Sequence, residues 1–238
     1  MKKTKQRIRL DRLLSQATDL SRKQAGIEIR KQRVQVGGEV VRDPAMQVAV
    51  NAEVRWCDRS VPLPGRVYIM MHKPAGLVCA RRDDVHATVL DLLPPQLAQR
   101  LHIVGRLDRE TTGLLLLTDD GDWSHRITSP RHACSKTYLA ELADQLAEDA
   151  EQRFAEGIQL RNEKLPTRPA ELQRIDAQHA RVVVHEGRYH QVRRMFAALG
   201  NRVVRLHREA IGQLPLAPEL APGQWRVLSD NERQDLSP

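Results

Sequence analysis

The residues of this 238-residue chain best placed for chemistry lie between Gly105 and Gly121, in the stretch GRLDRETTGLLLLTDDG. Asp108 stands there between Arg106 and Arg109, just ahead of the all-leucine run Leu114–Leu117. Thr111-Thr112-Gly113 before the run and Asp119-Asp120-Gly121 after it read as turns. A short apolar run between breakers predicts a strand buried on both faces, because a helix needs more length. A carboxylate at the mouth of such a strand is held for chemistry, since its backbone cannot wander. On residue types alone two roles stay open for Asp108: a surface ion pair with a neighbouring arginine, or an ionised acid beside a reacting centre.

Other stretches must position or complement that carboxylate. CSKTYLAEL alternates as a strand and carries Tyr138. ARVVVHEGRYHQVRRMFAALG reads as a valine-rich strand, a Glu186-Gly187 turn and a helix capped by Gly200. Val192, Met195, Phe196 and Leu199 form one stripe of that helix and leave His190, Arg193 and Arg194 on or near its other faces. VYIMMHKPAGLVC predicts a strand, a Lys73-Pro74-Ala75-Gly76 turn and a second strand. VVRLHREAIG follows the helix, and QWRVL closes the chain as a last strand. His102, His125, His132, His185 and His190 are scattered, and they read as surface or core histidines rather than metal ligands. No phosphate loop, dinucleotide fingerprint or metal-ligand cluster appears.

Composition narrows the partners. Hydrophobic residues make up 41% and charged residues 29%, while aromatics reach only 3%. A nucleic-acid contact would therefore lean on arginine and lysine more than on stacking. The net charge of +8 is unevenly placed: residues 1–66 hold 15 Lys and Arg against 7 Asp and Glu, and residues 67–238 hold 23 of each. The whole excess sits in the first quarter, which should carry a positive field suited to a polyanion. The N-terminus lacks the apolar segment of a signal peptide, and no apolar run is long enough to span a membrane. Cys57, Cys79 and Cys134 are odd in number and far apart, which predicts reduced thiols in a cytoplasm rather than disulfides or a zinc site.

Within that first quarter, Leu10, Leu13, Leu14 and Ala17 are spaced for one helix face, and Ser21 is placed to cap a second helix. Val34 and Val36, Gly37-Gly38, then Val40-Val41 predict a hairpin. Arg9, Arg12, Arg22, Lys23, Arg30, Lys31 and Arg33 lie between the apolar positions. RSVPLPGR, Arg59 to Arg66, reads as a linker. Further on, Thr88–Leu93 predicts a short helix ended by Pro94-Pro95, Asp122–Ile127 a short helix stopping near Ser129-Pro130, and Leu146, Ala150 and Phe154 a helix closed by Gly157. Residues 158–178 are polar and proline-broken, with no clear assignment.

The long ordered match of GRLDRETTGLLLLTDDG resembles the active-site motif of the pseudouridine synthases, in which the aspartate of G-R-L-D is catalytic. The resemblance gives that role to Asp108. It extends over about residues 7–230. Residues 7–65 resemble the S4-type RNA-binding domain, so the seven basic residues named above are expected to face RNA. The implied fold is α+β: an S4-type domain over 1–65, then a catalytic domain over 67–238 on a mixed, mostly antiparallel sheet with flanking helices. The resemblance further implies that Tyr138 lies against a flipped base, that a basic residue of G-R-Y-H-Q-V-R-R pairs with Asp108, and that the K-P-x-G turn supports the active-site loop. Position favours Arg193 for the pairing, with Arg194 the competitor. Arg106, Leu107, Lys73, Leu206 and Arg194 are expected at the substrate, Leu206 as an apolar wall.

The SPRHxCSKTY and TDDGDWSHR stretches look most like the small-subunit branch of the family, acting on 16S rRNA, while members acting on 23S rRNA share the architecture. The expected reaction breaks the uridine N1–C1′ bond, turns the base and rejoins it through C5. The uracil must first leave the stack, at a cost of a few kcal/mol that the pocket has to recover. Charge like that of an oxocarbenium ion develops at C1′, and an ionised carboxylate stabilises or traps it. Isomerisation is redox-neutral, so no cofactor is expected. A monomer working on rRNA, in a small-subunit assembly intermediate, completes the expectation. A non-catalytic ribosome-assembly factor would share the basic quarter but would not need the GRLD turn. A glycoside hydrolase would need a second, opposed carboxylate that the sequence does not supply.

Overall fold

The computed structural model describes residues 7–49, 52–61, 66–129, 132, 134–234 and 236. The chain divides into two compact units, residues 1–66 and 67–238.

The first unit runs β1 (Arg7–Arg9), α1 (Leu10–Ala17), α2 (Arg22–Arg30), β2 (Val34–Val36), β3 (Glu39–Val40), β4 (Gln47–Ala49), β5 (Val54–Trp56) and β6 (Arg59–Ser60). Ser21 caps α2 in a reciprocal box with Gln24, which satisfies two backbone donors that the helix start would leave orphaned. Gly37 and Gly38 both take positive φ, the backbone twist that a two-residue hairpin needs between β2 and β3. Leu10, Leu13, Leu14, Ala25 and Ile29 are fully buried and form its core with Val34, Val48 and Val54. The expected linker begins later than its proline content suggests. Arg59 and Ser60 pair with β5, and Val61 is buried in the same core. Residues 62–65 lie outside the described residues.

The second unit runs β7 (Tyr68–Lys73), a 3-10 turn (Val89–Leu92), α3 (Pro95–Arg100), β8 (His102–Val104), β9 (Thr112–Thr118), α4 (Gly121–Thr128), β10 (Lys136–Leu142), α5 (Ala150–Glu156), β11 (Glu171–Arg174), β12 (His179–Val184), α6 (Gln191–Ala198), β13 (Val203–Ile211), β14 (Leu214–Pro215), β15 (Trp225–Val227) and α7 (Asp230–Gln234). Its main sheet has the order β11-β12-β10-β13-β9-β7-β15, with β14 on β13 and β8 on β9. The β9–β13 pair is parallel and the other strand pairs are antiparallel, as a mixed sheet requires.

Strand β9 is the axis. All of Leu114–Leu117 are fully buried. Alternation sends Leu114 and Leu116 into one core with Trp123 and Ile127, and Leu115 and Leu117 into another with Ile69 and Met71. Two sequence expectations change here. The residues after Lys73-Pro74-Ala75-Gly76 form no second strand, only an isolated bridge from Val78 to Thr88. Pro95, expected as a stop, instead opens α3 at its first position, where a missing N–H costs nothing.

Candidate active site

Asp108 sits in the loop between β8 and β9, its side chain about a third exposed. Its own carbonyl accepts from the Thr111 amide, 3.1 Å, which closes the turn. Lys73 fixes this loop from beneath. Its side chain is completely buried, and Nζ donates to the carbonyls of Pro74, Arg109 and Thr111 at 2.8–2.9 Å. All three ammonium protons are thus used on the loop. Burial pushes the Lys73 amine below the ordinary lysine value, against the opposing charges of Glu110 and Asp108. The expectation that Lys73 contacts substrate is therefore corrected: it positions the loop and has no donor left for RNA.

Gly113 explains the glycine after the two threonines. It takes φ +107°, and a Cβ there would come within 2.3 Å of the Arg208 carbonyl oxygen. Only glycine lets β13 approach the start of β9 this closely. The approach seats Arg208 opposite Gly113 in the parallel register.

The carboxylate of Asp108 faces the first turn of α6. His190 Nε2 lies 3.3 Å from Oδ1, and Arg193 Nε lies 3.8 Å from Oδ2. Arg193 Nη1 also donates to the Val203 carbonyl, while its Nη2 is buried with no hydrogen bond. Arg193 is thus the neighbour of Asp108, and Arg194 is not. About 100° round the helix, Arg194 binds Glu163 at 2.9 Å and the carbonyls of Tyr189 and Arg161, so its expected place at the substrate is corrected as well. His190 was missed because periodicity left it as one histidine among several. Its backbone is left-handed, φ 48° and ψ 35°, and its ring stacks on Tyr189 at 3.9 Å, which together aim the imidazole inward.

The cavity around Asp108 has a volume of about 590 Å³. Tyr138 from β10 and Leu206 from β13 line it, with Leu107 at its floor and Arg106 exposed at its edge. Leu107 is anchored by packing against Ile69 and Leu115, and its amide donates to Cys79 Sγ at 3.4 Å. Arg208, which no sequence signal singled out, reaches Tyr138: Nη1 lies 3.4 Å from the phenol oxygen, and Nε donates to the Leu114 carbonyl. The pairing of Tyr138 with Arg208 across β10 and β13 is a tertiary fact that a single strand pattern does not reveal.

A family model described as RNA pseudouridylate synthase matches residues 67–198, which contain Asp108, Tyr138 and Arg193. The chain belongs to the RNA pseudouridylate synthase family. An S4 domain model matches residues 8–54 of this synthase. It is 50% identical over 226 residues to the ribosomal small subunit pseudouridine synthase A of Yersinia pestis, covering 94% of this chain and 96% of that protein. The protein of the same name from Escherichia coli (strain K12) is also 50% identical, with 94% and 98% covered. A crystal structure of a pseudouridylate synthase superposes with a TM-score of 0.71 at 45% identity, over 96% of this chain and 99% of that one.

In the S4 unit of the synthase the expected RNA-facing residues divide into two sets. Arg9 and Arg22 converge on Asp11, and Lys31 and Arg33 on Glu28. Burial raises the Asp11 carboxyl, but the two arginines outweigh it and hold the group below its ordinary value. Hydrogen bonds from Trp56 and Arg33 do the same for Glu28. Arg12, Lys23 and Arg30 are exposed and, among the described residues, make no ion pair. Also among the described residues, no three His, Cys, Asp or Glu side chains gather as a metal site, and no helix is long and apolar enough to cross a membrane.

Proposed function

We propose that this chain converts one uridine of small-subunit (16S) rRNA to pseudouridine, with Asp108 as the catalytic residue. The observation that carries the reading is the Asp108 carboxylate, held between His190 and Arg193 in a cavity walled by Tyr138 and Leu206. That cavity suits a flat base and a ribose, and the carboxylate suits the cationic charge that develops at C1′. The target uracil leaves the RNA stack to lie against Tyr138. The names of the relatives support the small subunit as the source of the RNA. Residues 1–65 dock the RNA through their basic surface, and residues 67–238 perform the isomerisation. The protein acts in the cytoplasm as a monomer on an assembly intermediate, without a cofactor.

Purified protein with a 16S transcript and no added cofactor tests this directly. Pseudouridine should appear in the nucleoside digest without free uracil. Free uracil would indicate a glycosidase, and no change in the RNA would leave only an RNA-binding role. The division of labour has its own measurement. Removing residues 1–66 should flatten the slope of log affinity against log salt, which changes by about −0.7 per phosphate contact on single strands. Equal slopes with and without those residues would place docking in the second unit.

A further inference from the structure

Two cations in the cavity have no counter-charge among the described residues. Arg208 is 3% exposed, yet among the described residues its guanidinium meets only neutral partners, the Leu114 carbonyl and the Tyr138 hydroxyl, and its buried Nη2 makes no hydrogen bond. Lys136, half-buried at the start of β10, donates to the Cys134 carbonyl at 2.6 Å. Burial pushes its amine below the ordinary lysine value, and the nearby Arg208 adds to that effect. Burial also pushes the Cys134 thiol up, so it supplies no anion. The two acids that line the cavity face other cations. Asp108 stands opposite His190 and Arg193, and Glu186 binds Arg188, Gln191 and the Arg168 amide. Uncompensated buried charge is costly unless a ligand supplies the opposite sign.

The fold says where that ligand sits. Lys136 and Tyr138 are two apart on β10 and share a sheet face, and Arg208 pairs with Tyr138 on the adjacent strand. Both cations therefore line the same cavity as the aromatic ring proposed to hold the uracil. We propose that Lys136 and Arg208 form an anion subsite for the departing base, stabilising the negative charge that collects on uracil as the glycosidic bond breaks. The inference rests on the function proposed above. When N1–C1′ breaks, its electron pair goes to N1 and spreads over the ring and its carbonyl oxygens. C1′ is left electron-deficient opposite Asp108. The base turns, the C5 π electrons form the new bond to C1′, the C5 proton leaves to solvent, and N1 takes one back. The result is an isomer with no net change in atoms or electrons. Asp108 serves the cationic fragment and the Lys136–Arg208 pair the anionic one.

Free bases separate this role from a structural one. 5-Nitrouracil is far more acidic than uracil and is largely ionised at neutral pH, while its ring still fits the same walls. The full-length protein should bind 5-nitrouracil at least about tenfold more tightly than uracil, as charge-assisted hydrogen bonds require. Lys136→Met should shrink that preference to about twofold or less and slow single-turnover pseudouridine formation by about 10²–10³, the usual cost of one charge-stabilising donor. Lys136→Arg, which keeps the charge, should retain the preference and guards against a folding defect in the methionine variant. The inference is overturned if the wild type shows no preference, if 5-nitrouracil does not bind at all, or if Lys136→Met keeps the full preference. Wild-type conversion of the 16S transcript is scored separately, so failure of the reaction itself is distinguishable from failure of the subsite.

Discussion

The two ends of β9 carry the same residue types and use them in opposite ways. At the far end, Asp119 binds Arg100 at 2.5–2.6 Å and accepts from the Val67 amide, with both side chains nearly buried. Asp120 beside it accepts from the Tyr68 hydroxyl at 2.8 Å and from the Asp122 and Trp123 amides that begin α4. At the near end, Asp108 is a third exposed, and its two cationic neighbours stand off at 3.3 and 3.8 Å. One end has tight, satisfied carboxylates that lock strands and helix together. The other has a carboxylate with spare acceptor capacity, held by its backbone rather than by its partners. The difference teaches that long, incomplete ion pairs on a rigid loop mark a group reserved for something not yet bound.

Substitutions at the two ends should separate along that line. Asp108→Asn is nearly isosteric, so it should abolish pseudouridine formation, with RNA affinity within a few-fold and an unfolding free energy within about 1 kcal/mol of wild type. Appreciable product from the pure variant in single-turnover assays would sink the catalytic role. Asp119→Ala should do the reverse. Leaving Arg100 buried without its acid should cost about 3–5 kcal/mol in denaturant titrations, while turnover per folded molecule persists. Gly113→Ala drives a methyl group into the Arg208 backbone at the near end. Overpacking of that kind typically costs about 1–3 kcal/mol, so both the melting temperature and the rate should fall. The smallest overall effect belongs to Arg193→Ala. Its partner is part-exposed and distant, so stability should drop by no more than about 1–2 kcal/mol, mostly from the lost Val203 hydrogen bond. Activity should nonetheless fall at least about tenfold. A stability loss comparable to that of Asp119→Ala would erase the contrast between the ends.

What the sequence made legible were features with a local cause. The Leu114–Leu117 strand, the Ser21 cap, the Gly37-Gly38 hairpin and the stripe of α6 each follow from residue type and spacing within about ten positions. Helix spacing also separates Arg193, which faces Asp108, from Arg194, about 100° away. What was lost depended on contacts between distant segments. Nothing in the Lys73 turn tells an ammonium at the substrate from one closed over by the carbonyls of Pro74, Arg109 and Thr111. Lys136 and Arg208 meet only through the pairing of β10 with β13. His190 acts through a left-handed backbone that no periodicity encodes. Within residues 158–178, β11 exists because β12 offers it an edge, and its own pattern is too short to announce it.

The parallel pairing of β9 with β13 also sets an order of events during synthesis. Thr112 and His207, which meet in that pair, are 95 residues apart in the chain. The S4 unit completes its core from contacts within its own short span, so it can fold as soon as it emerges. The leucines of β9 meet β7 and β8, which are made first, but the start of the strand at Thr112 and Gly113 must wait for β13, and contacts of such separation close slowly. During that interval the core that Leu114 and Leu116 share with Ile211 and Leu214 stays open, and exposed apolar surface of that kind seeds aggregation. Expression yield should therefore respond more to changes in residues 203–211 that slow the docking of β13 than to equal stability losses in the S4 unit.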